Sequence, residues 1–415
     1  MYKDEVIRRL ALLLGGLAAA CGSKAPPPPA DAGETPVADA GHSDGGILTY
    51  YKDAVPVLRA RCQSCHTTGG IAPFPLTTYD ETFLHKEAIA SAVSTRRMPP
   101  WLPDESCREL LESRRLAQAE MDTLVGWVNE GARAGDPADA RPAPDAGTGL
   151  PRVDLTKDIG VDYLPTPSAQ GDDYRCFVID PGLTTDQDIV GMDLVPGSRE
   201  MVHHAILFSA PMADAVAKDD GEAGPGFTCY GSGGVPNIEM VGGWVPGMPP
   251  TQAPAGTGVK LRAGSALVLQ LHYNTANGIF VDRTQVKLQL ARTPVRQAWL
   301  LPLVHDTFAV PPNATDFSST LSFQVPFNAT LYGAVPHMHT KGKSVRVARG
   351  NTCLIDVPAW DFDWQQLYYF KDPVVVFSGQ TVSLTCTWNN PENREVRWGE
   401  GTSDEMCLVF FYLTL

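Results

Sequence analysis

With 415 residues, 43% of them hydrophobic and 19% charged, the chain is too apolar to be disordered throughout and long enough for two to three domains. Acidic residues outnumber basic ones 47 to 33, and no Lys/Arg-rich stretch stands out to neutralise phosphates, which argues against nucleic acid as a partner. The 38 glycines and 35 prolines suit many short strands, turns and linkers better than a helical bundle.

At the amino terminus, Arg8 and Arg9 precede an apolar run from Leu10 to Ala20 that is too short to span a bilayer as a mature helix, the pattern of an export signal over residues 1–21. The run ends Leu17-Ala18-Ala19-Ala20-Cys21-Gly22-Ser23, which resembles a bacterial lipoprotein cleavage site and predicts lipid on Cys21; plain secretion is the competing reading. No other segment approaches about 18 consecutive apolar residues, so membrane attachment would be through that lipid alone. The chain is therefore expected to be exported, and to be periplasmic or lipid-anchored at a bacterial cell envelope. Residues 22–47, with Pro26-Pro27-Pro28-Pro29 among Ala, Gly and Asp, cannot bury enough apolar surface to fold and read as a disordered linker. A stretch of the same composition at 135–150 predicts a flexible tether between a module at 48–134 and the remainder.

In that module Leu116, Met121, Leu124, Val125 and Val128 recur at helical spacing, so it is expected to be small and mainly α. Cys62-Gln63-Ser64-Cys65-His66 is the C-x-x-C-H pattern of covalent c-type haem attachment, in which two thiols add to the vinyl groups and the adjacent imidazole becomes the proximal iron ligand. A cytochrome c-like domain with one haem c is the prediction. Met98, in Arg96-Arg97-Met98-Pro99-Pro100-Trp101, sits on a proline-stiffened loop able to hold a thioether over the other haem face, and His85 is the competing sixth ligand. His66/Met98 ligation would raise the potential and suit electron transfer. A thioredoxin-like dithiol or half of a zinc site is the alternative, weakened by the lack of a second cysteine pair nearby.

Nine cysteines in an exported chain point to an oxidising compartment. With Cys21, Cys62 and Cys65 set aside, Cys107, Cys176, Cys229, Cys353, Cys386 and Cys407 remain, and spacing alone does not choose their pairing.

Beyond residue 150 the pattern turns to short alternating or β-branched runs: 202–208, 266–273, 284–290, 374–377, 381–388 and 407–415. Two antiparallel β-sandwiches follow, at 151–293 and 294–415. Histidines punctuate these runs. His337-Met338-His339 places two imidazoles at i and i+2, on one face of a strand, where both reach one metal. His203 and His204 would point to opposite faces of a regular strand, so joint ligation requires a strand end or a bulge. In Leu267-Val268-Leu269-Gln270-Leu271-His272-Tyr273, Gln270 and His272 share the face opposite the leucines, and a buried polar pair there needs partners, of which a metal is one. Met406 precedes the terminal strand and shares a face with Leu408 and Phe410. Imidazoles with a thioether favour copper, the soft sulfur stabilising Cu(I). His305 matches no set and is expected to be structural.

The His-His pair after Val202, the Gln-Leu-His-Tyr strand, the His-x-His strand and the terminal Asp404-Glu405-Met406-Cys407 together resemble the copper type II ascorbate-dependent monooxygenases, a family that includes peptidylglycine α-hydroxylating and dopamine β-monooxygenases. The resemblance implies two jelly-roll-like sandwiches with a wide interdomain cleft and two coppers. By motif position His203, His204 and His272 match the electron-transfer copper, and His337, His339 and Met406 match the copper where oxygen is activated and C–H bonds are hydroxylated. Cys386 and Cys407 match a disulfide beside the methionine. Small-molecule substrate, dioxygen and an electron donor, ascorbate-like or a periplasmic redox protein, are the implied partners. The peptide-amidating members hold a substrate carboxylate with an arginine, an asparagine and a tyrosine at positions occupied here by Val335, Leu408 and Phe410. A carboxylate would meet an apolar wall there, so a neutral or apolar substrate is expected. The fused haem module, absent from that pattern, would supply electrons singly. The competing reading is a periplasmic electron-transfer or copper-binding protein without oxygenase activity.

Overall fold

Burial along the strands sets the architecture. Ser265–Asn274 is buried at eight consecutive positions, the mark of a central strand, whereas Phe317–Gln324 alternates between half-buried and exposed, the period-2 signature of a strand with one face on a core. The computed structural model describes residues 46–70, 72–141, 149–168, 171–231, 233–246, 248–276, 278–399 and 403–415. The expected export signal, Cys21, nearly all of the first linker and 142–148 of the second lie outside the described residues.

The described strands fall mainly into three large sheets. A five-stranded sheet runs Phe227–Thr228, Asp172–Ile179, Ser265–Asn274, Val202–Pro211, Glu239–Trp244, and a four-stranded sheet runs Phe317–Gln324, Thr381–Trp388, Gly342–Arg349, Thr352–Val357. A nine-stranded sheet backs both, in the order Leu155–Asp158, Gln285–Leu290, Gln187–Val195, Thr257–Leu261, Arg296–Val304, Cys407–Thr414, Ala329–Met338, Tyr368–Val376, with Thr251–Gln252 paired at the side of Gln187–Val195. Two β-sandwiches result, with separate cores. Leu207, Leu267 and Leu269 pack on Leu194, Val286 and Leu288 in one; Val345, Leu384 and Trp388 pack on Leu331, Val409 and Leu413 in the other. The sandwiches do not stand apart. Arg296, Gln297 and Ala298 pair in parallel with Thr257, Gly258 and Val259, so one sheet crosses the expected boundary. Side-chain alternation tells which face of a strand is buried but not which edge pairs with which, and this parallel step is the part that alternation does not encode.

Residues 50–129 are helical: a wide turn at Tyr50–Ala54, then Val55–Arg61, Tyr79–Leu84, Lys86–Ser94 and Gln118–Asn129. Thr78 and Glu81 form a reciprocal capping box that starts the Tyr79 helix. Leu116, Met121, Leu124 and Val128 are buried with Tyr50, Leu58 and Trp127 in a third core, and Val125 packs against it half-buried. Nothing in the arrangement of these short helices by itself identifies a haem fold.

The helical region also meets the sheet directly. Cys107 is bonded to Cys353. Leu110 bridges Phe370, Leu111 N donates to Tyr369 O at 2.9 Å, Lys371 N donates to Glu109 O at 3.1 Å, and Asp104 N donates to Asp356 O at 2.8 Å. Residues 109–111 thus extend the nine-stranded sheet beyond its edge strand, satisfying backbone groups that would otherwise be open to other chains. Trp101 meets Tyr368 edge-on at 5.3 Å. The start of the second linker also folds back on the module, since Arg59 Nη1 donates to Arg141 O at 2.6 Å. The remaining disulfides are Cys176–Cys229 and Cys386–Cys407. Three disulfides fit an oxidising compartment. Among the described residues no helix is long and apolar enough to cross a membrane.

Candidate metal centres

Strands Val202–Pro211 and Ser265–Asn274 are neighbours, with His204 directly opposite His272. The register slips between Val202 and His204, and this irregularity turns the two adjacent imidazoles toward one side. The ligand atoms of His203, His204 and His272 all lie within 4.8 Å of one another. His204 Nδ1 is 3.3 Å from His203 Nδ1 and 3.4 Å from His272 Nδ1. The far nitrogens of two rings are engaged: His272 Nε2 is 3.0 Å from Asp172 Oδ1, and His203 Nε2 is 3.4 Å from Asp363 Oδ1. A ring that donates Nε2–H to a carboxylate presents Nδ1 as a lone pair, so this arrangement directs lone pairs at one point. Tyr174 lies flat on the His272 ring, 4.1 Å between centroids. Burial first, then His272, His203 and His337, holds His204 well below the usual imidazole range, and burial lowers His272 against the pull of Asp172. Neutral imidazoles of this kind fit a divalent or monovalent copper ion.

The second set is built on the other sandwich. His337 pairs with Leu408 and Met338 with Cys407 across neighbouring strands, and His339 and Met406 directly adjoin this last pair, one at the end of each strand. Directly opposed residues share a face, so Val335/Phe410 and His337/Leu408 form two successive rows. His337 Nδ1 donates to Gln365 Oε1 at 2.5 Å, which presents Nε2 of that ring as a lone pair, and His339 Nδ1 donates to Asp404 O at 3.2 Å. Burial and His339 push His337 down to about 3. Behind this set sits Glu405, fully buried. Its carboxyl accepts from His339 N at 3.1 Å, Lys341 N at 2.6 Å and Trp388 Nε1 at 3.0 Å, and burial raises it to about 7. The Cys386–Cys407 bond ties the Met406 strand to the four-stranded sheet.

Where the resemblance implied a wide cleft, Asp363 crosses from the C-terminal half to His203 of the N-terminal half. One loop, between strands Thr352–Val357 and Tyr368–Val376, therefore serves both sets, Asp363 holding His203 and Gln365 holding His337. Asp172, Asp363, Gln365 and Glu405 had no signal in the sequence, because each acts on a histidine far away in the chain. Gln270 is drawn away from the metal set: its amide donates to Gly231 O at 3.4 Å and to Cys229 Sγ at 3.6 Å. His305 is buried and hydrogen-bonded to Ser319 Oγ at 2.8 Å. Outer partners of metal-bound histidines are worth about 10–100-fold in affinity. Asp363→Ala is thus expected to weaken copper at the His203 set by that factor, and Gln365→Ala at the His337 set. Chelator-competition titrations check this, and equal weakening of both sets by either substitution would contradict it.

In the helical region His66 Nδ1 donates to Phe74 O at 2.9 Å, leaving Nε2 free to bind iron. Cys62 and Cys65 are free thiols, whereas the other six described cysteines form disulfides. Burial pushes the Cys62 thiol up to about 12 and raises Cys65 as well. Burial of this kind works against the thiolate character of a reactive dithiol. His85 stacks on Phe74 at 3.8 Å, against the residue whose carbonyl holds His66. Met98 lines a small pocket with Val93, Trp101, Leu116 and Met121.

Four imidazoles, His66, His204, His272 and His337, are held below the ordinary 6.5, mainly by burial. The unfolded chain takes up these protons first. Their contribution to stability is present above pH 6.5 and is lost as pH falls, with a slope of up to about 1.4 kcal/mol per pH unit for each group. Glu405, raised from 4.5 to about 7, acts in the opposite sense between those values. Asp193 and Asp219, raised by burial, act in the same sense as Glu405, and with four imidazoles against three carboxyls the thermal midpoint of the copper-free chain is expected to rise from about pH 5 to pH 6.5. A flat or falling midpoint in a thermal melt series would count against the burial of these imidazoles.

Residues 298–414 match the model of the copper type II ascorbate-dependent monooxygenase C-terminal domain, a span that contains His337, His339 and Met406. The chain is 24% identical over 246 residues to DBH-like monooxygenase protein 2 of Mus musculus, covering 53% of this chain and 39% of that protein. It is 23% identical over 118 residues to DBH-like monooxygenase protein 1 of Homo sapiens, covering 24% of this chain and 19% of that protein. The chain thus spans well under half the length of these relatives. Among solved structures, an N-glycanase F is aligned at 12% identity over 63% of this chain and 96% of that chain, with a TM-score of 0.29, a likeness too slight to bear on the fold.

Proposed function

We propose that this chain is an exported copper-dependent monooxygenase of the type its C-terminal sandwich resembles, hydroxylating a C–H bond of a neutral or apolar substrate with dioxygen. The observation that carries the reading is the pair of histidine sets: His203, His204 and His272 with ligand atoms within 4.8 Å of one another, and His337 and His339 with ring centroids 5.2 Å apart, their rings oriented by Asp172, Asp363, Gln365 and the Asp404 carbonyl. His203, His204 and His272 would hold the electron-transfer copper, and His337, His339 and Met406 the copper at which oxygen reacts. Copper, when bound, supplies the one-electron couple and the affinity of Cu(I) for dioxygen that this chemistry needs. The chain does the rest. Asp172, Asp363, Gln365 and the Asp404 carbonyl orient the rings, and Val335, Leu408 and Phe410 offer the reacting face an apolar wall that excludes water and rejects a charged group. Ascorbate or another exported one-electron donor would restore the reduced state, and lipid on Cys21, outside the described residues, would be the route to a membrane.

Cys62, Cys65 and His66 would hold a c-type haem that passes electrons inward. Protein made in an export host with haem maturation machinery is expected to keep a c-type absorption band after denaturation; colourless denatured protein ends this part of the proposal. Met98→Ala leaving the oxidised spectrum unchanged would remove Met98 as sixth ligand. For the oxygenase itself, the copper-loaded chain is offered a panel of neutral and apolar compounds under isotope-labelled dioxygen. Label in a hydroxylated product supports the reading. Reduced and reoxidised copper with no labelled product points instead to an electron-transfer or copper-binding protein.

A further inference from the structure

The helical region is seated on the sandwiches at a particular place. Its C-x-x-C-H turn runs on to Gly69, which has φ +70° and where a methyl group would stand 3.6 Å from Glu200 Oε1. Arg114 and Arg199 both stand near Cys65. Glu200 leads through Met201 and Val202 directly into His203 and His204. This turn is rigid from behind: Ser198 N donates to the buried Asp282 carboxylate at 2.9 Å, whose other oxygen accepts from Tyr273 Oη at 3.1 Å and Thr284 Oγ1 at 2.7 Å. Val202 N donates to Ser198 O at 3.0 Å, and Asn274 N to Met201 O at 2.8 Å. On the module's side, the Cys107–Cys353 bond and the 109–111 edge pairing hold the helical region to the sheet.

We infer that the Cys62–His66 loop is docked as the electron entry to the His203–His204–His272 set, through the turn Ser198 to His203. The inference rests on the haem reading above and adds a route and a receiving site to it. The step is a single-electron transfer: iron(II) on His66 becomes iron(III), copper(II) at the three histidines becomes copper(I), and no bond is made or broken. A one-electron reductant of the ascorbate class restores iron(II) from outside. Two passages supply the two electrons that a monooxygenation consumes.

The test uses the full chain, haem-matured and loaded with copper(II), without oxygen. Haem is reduced by a flash of photoreduced flavin, its reoxidation is followed by absorbance, and copper(II) is followed by freeze-quench EPR. We expect a first-order rate independent of protein concentration, and the copper(II) signal lost first to be the one missing in His272→Ala. In Cys107→Ser/Cys353→Ser the module keeps the 109–111 edge pairing but loses its covalent tie to the sheet, and reoxidation is expected to slow about tenfold as the module undocks part of the time. Gly69→Trp, which places a bulky side chain against Glu200 without touching a disulfide, is expected to slow it in the same direction at unchanged haem content. Wild-type rates in both variants, or first reduction of the copper at His337 and His339, would overturn the docking route while leaving the haem reading intact. A wild-type chain without covalent haem would overturn the haem reading and the route together.

Discussion

Met406→Ala is expected to lower hydroxylated product by more than about 100-fold, beyond what loss of an outer partner causes, while copper at His203, His204 and His272 stays bound. The thioether is the soft member of its set, and softness stabilises the Cu(I) state that takes up dioxygen. Its position is not adaptable. Cys407, the next residue, is bonded to Cys386, and Glu405, the previous one, is locked by three donors, so no neighbouring side chain can move in to replace the sulfur. The two sets sit on sandwiches with different cores, which is why the other copper should not notice the change. Product rate and copper per chain, measured on the same preparation, check the prediction. A folded variant that has lost both coppers equally would contradict it.

Glu405→Ala is expected to destabilise the fold by about 3–5 kcal/mol. Three buried donors, His339 N, Lys341 N and Trp388 Nε1, lose their acceptor together, and each unsatisfied buried group costs about 1–3 kcal/mol, before any cavity is counted. The pairs are not additive, since relaxation of the His339–Lys341 turn recovers part of the loss. Glu405→Gln should lie between: its oxygen still accepts from His339 N and Trp388 Nε1, but its amide N–H groups face Lys341 N–H. Denaturant unfolding of the copper-free chains decides this, and an alanine variant within about 1 kcal/mol of the native chain would show that Glu405 does not hold the corner.

The residues that spacing made legible are those whose chemistry is local. His337 and His339 at i and i+2, the thiols and imidazole of Cys62-Gln63-Ser64-Cys65-His66, and the alternation of the strands are all contained within a few residues. The need for an irregularity at His203 also followed from adjacency, and the slipped register between Val202 and His204 is how the strand meets it. What alternation does not carry is pairing across distance. The parallel step of Arg296–Ala298 onto Thr257–Val259, the Cys107–Cys353 bond and the reach of Asp363 to His203 depend on which surfaces meet after folding. Gln270 shows the converse error: it shares a face with His272, yet a neighbouring loop carbonyl and the Cys176–Cys229 sulfur satisfied it first. Composition at 135–150 carried no sign that the module before it is also bonded to the sheet, because Cys107 and Cys353 are far apart in the chain.

The account stands on two coppers held by different donor sets, and copper-edge X-ray absorption of the reduced, fully loaded chain addresses that most directly. Two coppers per chain are expected, both with imidazole scattering and one of them with a sulfur neighbour that disappears in Met406→Ala while the imidazole scattering remains. A single copper per chain, or a sulfur signal that survives the loss of Met406, would contradict it.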